Sequence, residues 1–106
     1  MNAAREQNAA QNSVVSAASL KRTKTVNPVY PESARKRGTE GWVELAFTVT
    51  QAGTVEDVEV RNSSPEAVFD EAATRAIRQW RFEPIVRDGE KISQRAMVRL
   101  RFSKQD

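Results

Sequence analysis

Six apolar residues, Phe69, Ala72, Ala73, Ala76, Ile77 and Trp80, fall at i, i+3, i+4, i+7, i+8 and i+11, and this spacing predicts one helix with a single apolar face. Arg81-Phe82-Glu83-Pro84 ends it, because proline pushes the residue before it out of the helical region. Past a turn at Asp88-Gly89 the period changes. Ile92, Ala96, Val98, Leu100 and Phe102 share one face of an alternating strand, with Gln94 the lone polar member. Ser93, Arg95, Met97, Arg99 and Arg101 take the other face. A strand that arrives last with one wet face predicts an exposed sheet edge, and exposed edges recruit further strands.

The preceding elements supply the rest of a small α+β fold. Residues 31–37 predict a short helix with Pro31 at its first position and Gly38 at its end. Gly41 opens a strand in which Val43, Leu45, Phe47 and Val49 lie on one face. Trp42 falls on the nominally outer face, where it either covers the sheet or meets a partner. Gln51-Ala52-Gly53-Thr54 predicts a hairpin turn with Gly53 at positive φ, and residues 55–60 return as a second strand with Val58 and Val60 inward. Asn62-Ser63-Ser64-Pro65-Glu66 has the residues of a helix start, since either serine can cap and Glu66 stands three after Ser63.

Connectivity follows. The hairpin makes the first two strands antiparallel. The second strand, a helix of about fifteen residues and the last strand form a crossover long enough to skip one position. The expected sheet is three-stranded and mixed, in order 2-1-3, with the last strand at an edge and the longer helix on one face; direct pairing of the second and last strands is the competing order, and it would leave the first strand at that edge.

At 106 residues the chain holds one ordinary domain at most, and residues 1–25, rich in Ala, Asn, Gln and Ser, read as a flexible linker or tail, with room for a transient helix over Ala9 to Leu20, ahead of a folded part at 26–106. Val14, Val15 and Leu20 are the large apolar exceptions in that leader. The net charge of +3 resides there too: Arg5, Lys21, Arg22 and Lys24 oppose Glu6 alone, whereas the remainder has 13 basic and 13 acidic residues. A neutral folded part is a poor match for nucleic acid, and the basic stripe Arg95, Arg99, Arg101 and Lys104 lacks the interleaved aromatics on which bases stack. Charges on an edge strand also deter indiscriminate pairing.

Chemistry finds few candidates. The chain has neither histidine nor cysteine, which removes the commonest general base, the thiolate nucleophile and the usual transition-metal ligands. Asp57 and Glu59 share a strand face, and Asp70 and Glu71 sit at a helix start where its dipole favours them. Solvated charge explains them better than paired acid–base catalysis. No enzyme activity, metal or cofactor is expected. No apolar run approaches the roughly 18 residues of a membrane span, so any membrane anchor lies outside this chain.

The ordered set Asn27-Pro28-Val29-Tyr30-Pro31, then Ala34, Gly38 and Gly41, then Gly53-Thr54-Val55, Phe69-Asp70-Glu71-Ala72-Ala73 and Trp80-Arg81-Phe82-Glu83-Pro84 resembles the C-terminal domain of TonB, the energy transducer of Gram-negative bacteria. The resemblance covers residues 27–102. It implies a periplasmic module of a longer, inner-membrane-anchored protein working with ExbB and ExbD to power outer-membrane receptors that import siderophores, haem or vitamin B12. Such a module grips the receptor's TonB box as a strand added beside its last strand, which here is Arg95, Ala96, Met97, Val98, Arg99, Leu100, Arg101 and Phe102. The family's leading segment usually reads Gln-Pro-x-Tyr-Pro. Here Asn27, Pro28, Val29, Tyr30 and Pro31 match it, with a shorter amide at Asn27 that keeps donor and acceptor but loses reach. The runner-up is a structural or assembly domain of the cell envelope, similar to TolA. An open edge also permits strand-exchanged homodimers.

Overall fold

Alternation over nine residues makes Gly41–Val49 (β3) the central strand, and the turn at Gly53 folds Val55–Ser64 (β4) back against it. The computed structural model describes residues 14–103. Gln94–Phe102 (β8) pairs antiparallel with the free side of β3 in unbroken register, from Gly41 opposite Phe102 to Val49 opposite Gln94. Strands β4, β3 and β8 therefore stand in the expected 2-1-3 order, with β4 parallel to β8. The β3–β4 register shifts twice, and Asp57, at φ 53, occupies the irregularity opposite Ala46 to Thr48.

The sheet has a fourth member that sequence patterning assigned to a linker. Val14–Ser16 (β1) lies parallel to β8, with Val14, Val15 and Ser16 opposite Arg95, Ala96 and Met97, giving the order β1-β8-β3-β4, so the sheet has four strands and β8 is not the edge expected of it over that stretch. A 3-10 turn at Ala17–Ser19 follows, and Arg22–Lys24 (β2) then pairs with Arg81–Phe82 (β5). Residues 14–24 thus belong to the folded body. The physical reason is tertiary: a three-residue strand has no stability of its own and forms where a sheet edge offers unpaired main-chain groups.

Two α-helices among the described residues complete the fold. Glu32–Arg37 (α1) starts after Pro31 and stops at Gly38, whose φ of 70 permits the left-handed C-cap. Asp70–Arg78 (α2) is shorter than expected, and its start lies later than the serines predict. Ser63 and Ser64 instead close β4, opposite Val43 and Trp42, so their backbone groups go to the ladder and not to a cap. Gly41 makes room for this arrangement, because a Cβ there would stand 2.0 Å from the Ser64 oxygen and 2.9 Å from the Phe69 ring. Past α2, Ile85–Arg87 (β6) and Glu90–Ile92 (β7) form a small hairpin around Asp88 and Gly89, both at positive φ.

The apolar stripe of residues 69–80 faces the sheet. Phe69, Ala73, Ile77 and Trp80 bury against Val43, Leu45, Phe47, Val49, Ala96, Leu100 and Phe102. Phe69 and Phe102 stack with centroids 4.3 Å apart, fastening the helix start to the last strand.

Candidate peptide-docking edge

Which main-chain groups of β8 face away from the sheet follows from the pleat. N–H and C=O groups of successive residues alternate in direction, and only every second residue of a strand bonds to a given neighbour. Thr50 donates its N–H to the Thr54 carbonyl at 2.9 Å across the hairpin, which turns the even-numbered residues of β3 toward β4. The odd-numbered ones turn toward β8, where their register partners are Gln94, Ala96, Val98, Leu100 and Phe102. Arg95, Met97, Arg99 and Arg101 therefore direct their main-chain groups outward.

That outer border has two halves. Beside Arg95 and Met97 runs β1, ending at Ser16. Beyond Met97 no strand among the described residues pairs with the outer side of β8, so the groups of Arg99 and Arg101 stay open to a new strand. A cleft of about 410 Å³ opens where the leader departs, lined by Ser16, Ala18 and Arg22 on one side and Met97, Val98 and Arg99 on the other.

The outer-face side chains are largely spoken for within the sheet. Arg95 donates to Glu59 Oε1 at 2.7 Å, to the Asp57 carbonyl at 3.0 Å and to Thr48 Oγ1 at 3.1 Å. Arg99 lies 3.6 Å from Glu44 Oε2 with its guanidinium carbon 4.2 Å from the centre of the Trp42 ring. Trp42 is thus covered by an arginine of the neighbouring strand. Arg101 is exposed and has no carboxylate partner among the described residues. Lys104 lies outside them. A face whose cations are paired this way presents little net field to a polyanion.

The leading segment is held by different contacts. The Trp80 indole donates to the Val26 carbonyl at 3.0 Å, and the Tyr30 hydroxyl donates to the Thr39 carbonyl. Tyr30 meets Phe69 and Phe102 edge-on at 5.5 and 5.8 Å. Its ring pins the segment to the domain. Partial desolvation, and after it the Glu40 carboxylate, push its phenol above the ordinary value of 10.0. Asn27 and Val29 line a groove of about 360 Å³ against Val68, just ahead of α2, and Ala72 and Arg75 on α2, and Val29 is 80% exposed. The two groups of expected site residues thus meet through Tyr30 and Phe102, while Asn27 and Val29 address the groove along α2. Sequence reasoning missed Val14, Val15 and Ser16 at the border. The signal available was two adjacent β-branched residues in an otherwise small and polar leader.

Comparisons with known proteins bear on the family and the fold. The family model for the Gram-negative bacterial TonB protein C-terminal matches residues 26–103. The chain is 42% identical over 69 residues to the TonB protein of Pseudomonas aeruginosa, covering 65% of this chain and 20% of that protein. It is 36% identical over 77 residues to TonB of Vibrio cholerae, covering 73% and 32%. It thus spans a fifth to a third of these curated relatives. Among solved structures, the solution structure of the Pseudomonas aeruginosa TonB C-terminal domain superimposes with a TM-score of 0.71 at 36% identity, over 82% of this chain and 88% of that one. TonB2 from Vibrio anguillarum gives 0.62 at 32% identity, over 91% and 85%.

Proposed function

This chain belongs to the Gram-negative TonB C-terminal family, and from that premise we propose that it is the receptor-gripping module of an energy transducer, taking the TonB box of outer-membrane transporters as a strand added to β8. The observation that carries the reading is the open half of the border, where the main-chain groups of Arg99 and Arg101 face outward with no partner strand among the described residues. Backbone pairing tolerates varied side chains, so one module serves several receptors.

The reading implies the rest of a larger machine. The parent carries an inner-membrane anchor and a spacer, the domain works in the periplasm, and ExbB and ExbD supply the proton-driven work. Hydrogen bonds along an added strand load together when the strand is pulled across its length, which suits a grip that transmits force. The role is mechanical coupling for transport, with no chemistry asked of any side chain. The same open border lets a second copy pair by strand exchange, in competition with the peptide.

Titrating 15N-labelled protein with a panel of TonB-box peptides tests the reading. Saturable amide shifts along residues 98–102 are expected. A panel that moves no amide in β8 rejects peptide addition at this edge, and with it the transducer role in favour of an assembly domain.

A further inference from the structure

The leader strand is a guest already in place. Residues 14–16 lie parallel to β8 in register with Arg95, Ala96 and Met97, on the border that the proposed peptide needs. Val15, opposite Ala96, is half-buried against the core, and Ala17 behind it is fully buried. The next segment is tied elsewhere: β2 pairs with β5, and the Glu83 N–H donates to the Lys21 carbonyl at 2.9 Å. Between the two attachments stands the single turn Ala17–Ser19, closed by Ser16, whose Oγ accepts from the Ala18 N–H and whose carbonyl accepts from the Ser19 hydroxyl. Departure of β1 from the border would therefore pivot on that turn, with β2 still fastened.

Resting on the peptide-docking reading above, we propose that β1 is a built-in competitor. The incoming peptide seeds on the open half beside Arg99 and Arg101, in the cleft where the leader departs, and completes its pairing by displacing residues 14–16 from Arg95 and Met97. The leader also displays what the covered half accepts. The guest runs parallel to β8 and sets a β-branched apolar side chain where Val15 stands, opposite Ala96. Three ladder positions are few enough to exchange on binding, yet an occupied border lowers apparent affinity by the fraction of molecules in which it is free. A leader seated in nine of ten molecules weakens binding about tenfold.

A reversible lock tests this. The chain has no cysteine, so Ser16→Cys combined with Met97→Cys, register partners on one face, creates a single cross-link between β1 and β8. With the tightest TonB-box peptide of the panel, the oxidised form is expected to bind at least tenfold more weakly than the same protein reduced. Its amide shifts should be confined to residues 98–102. Equal affinity and equal shifts in the two forms overturn displacement while leaving peptide docking intact. Failure of the wild-type chain to bind any peptide overturns both. Val15→Asp provides a second reading that leaves β8 unaltered: expelling β1 should tighten peptide binding several-fold, and unchanged or weaker binding rejects the competitor.

Discussion

The Phe82 N–H donates to the Gly53 carbonyl at 2.8 Å, while a Cβ on Gly53 would stand 2.1 Å from the Phe82 oxygen. The hairpin turn and the strand leaving α2 thus touch backbone to backbone, and Gly53 also holds φ at +88. Gly53→Ala should cost roughly 2–4 kcal/mol, combining left-handed strain with a clash against main chain. Gly89→Ala is the matched control. It has φ +81 but nothing within 4 Å of the added carbon, so only the conformational cost of about 1 kcal/mol applies. Urea unfolding measures both, and equal losses would mean the contact with Phe82 is unimportant.

Proline separates the two sides of β8. Val98 bonds toward β3, so Val98→Pro removes a ladder bond and should cost about 3 kcal/mol or more. Arg99 directs its N–H outward beyond the end of β1, and Arg99→Pro should leave the fold within about 1 kcal/mol of wild type. Peptide affinity is expected to fall at least tenfold in Arg99→Pro. A folded Arg99→Pro that binds normally would sink the outward orientation assigned to this border.

Tyr30 makes stability sensitive to alkaline pH in a defined direction. Its folded-state value lies above the ordinary 10.0, so the unfolded chain loses the phenolic proton first. The stabilisation is complete below 10.0 and is lost as pH rises through the higher folded value. Ionisation also removes the donor to the Thr39 carbonyl. Tyr30→Phe should flatten the alkaline limb of the stability profile and lose less than Phe102→Ala, which opens a cavity costing roughly 3–5 kcal/mol. Phenolate absorbance follows the chain's sole tyrosine directly. A titration midpoint below 10.0 would contradict the packing of its ring.

Ser63 tests where α2 begins. As a cap its removal would cost about 1 kcal/mol. As a ladder residue opposite Val43 it gives up nothing from its backbone on conversion to alanine. Ser63→Ala should therefore stay within about 0.5 kcal/mol of wild type in chemical denaturation. A full capping loss would restore the earlier helix start.

The capping pattern at Ser63 misleads because cap and turn residues also occur at strand ends, and sequence contains no record of the β3 partner that claims Ser63 and Ser64. Where pattern and environment are both local, the sequence is sufficient. The stripe from Phe69 to Trp80, the alternation of Val43 to Val49 and of Ala96 to Phe102, and the glycines at 38, 53 and 89 each encode their own conformation. They yield the 2-1-3 order of the three long strands without coordinates, but not the leader strand that covers half of the last strand's outer border. The tertiary structure alone decided the fate of the leader, the seating of Tyr30 between Phe69 and Phe102, and the pairing of Arg99 with Glu44 and Trp42. Those contacts join residues far apart in the chain, and a segment as short as residues 14–16 becomes a strand only when a finished sheet presents it with an open edge.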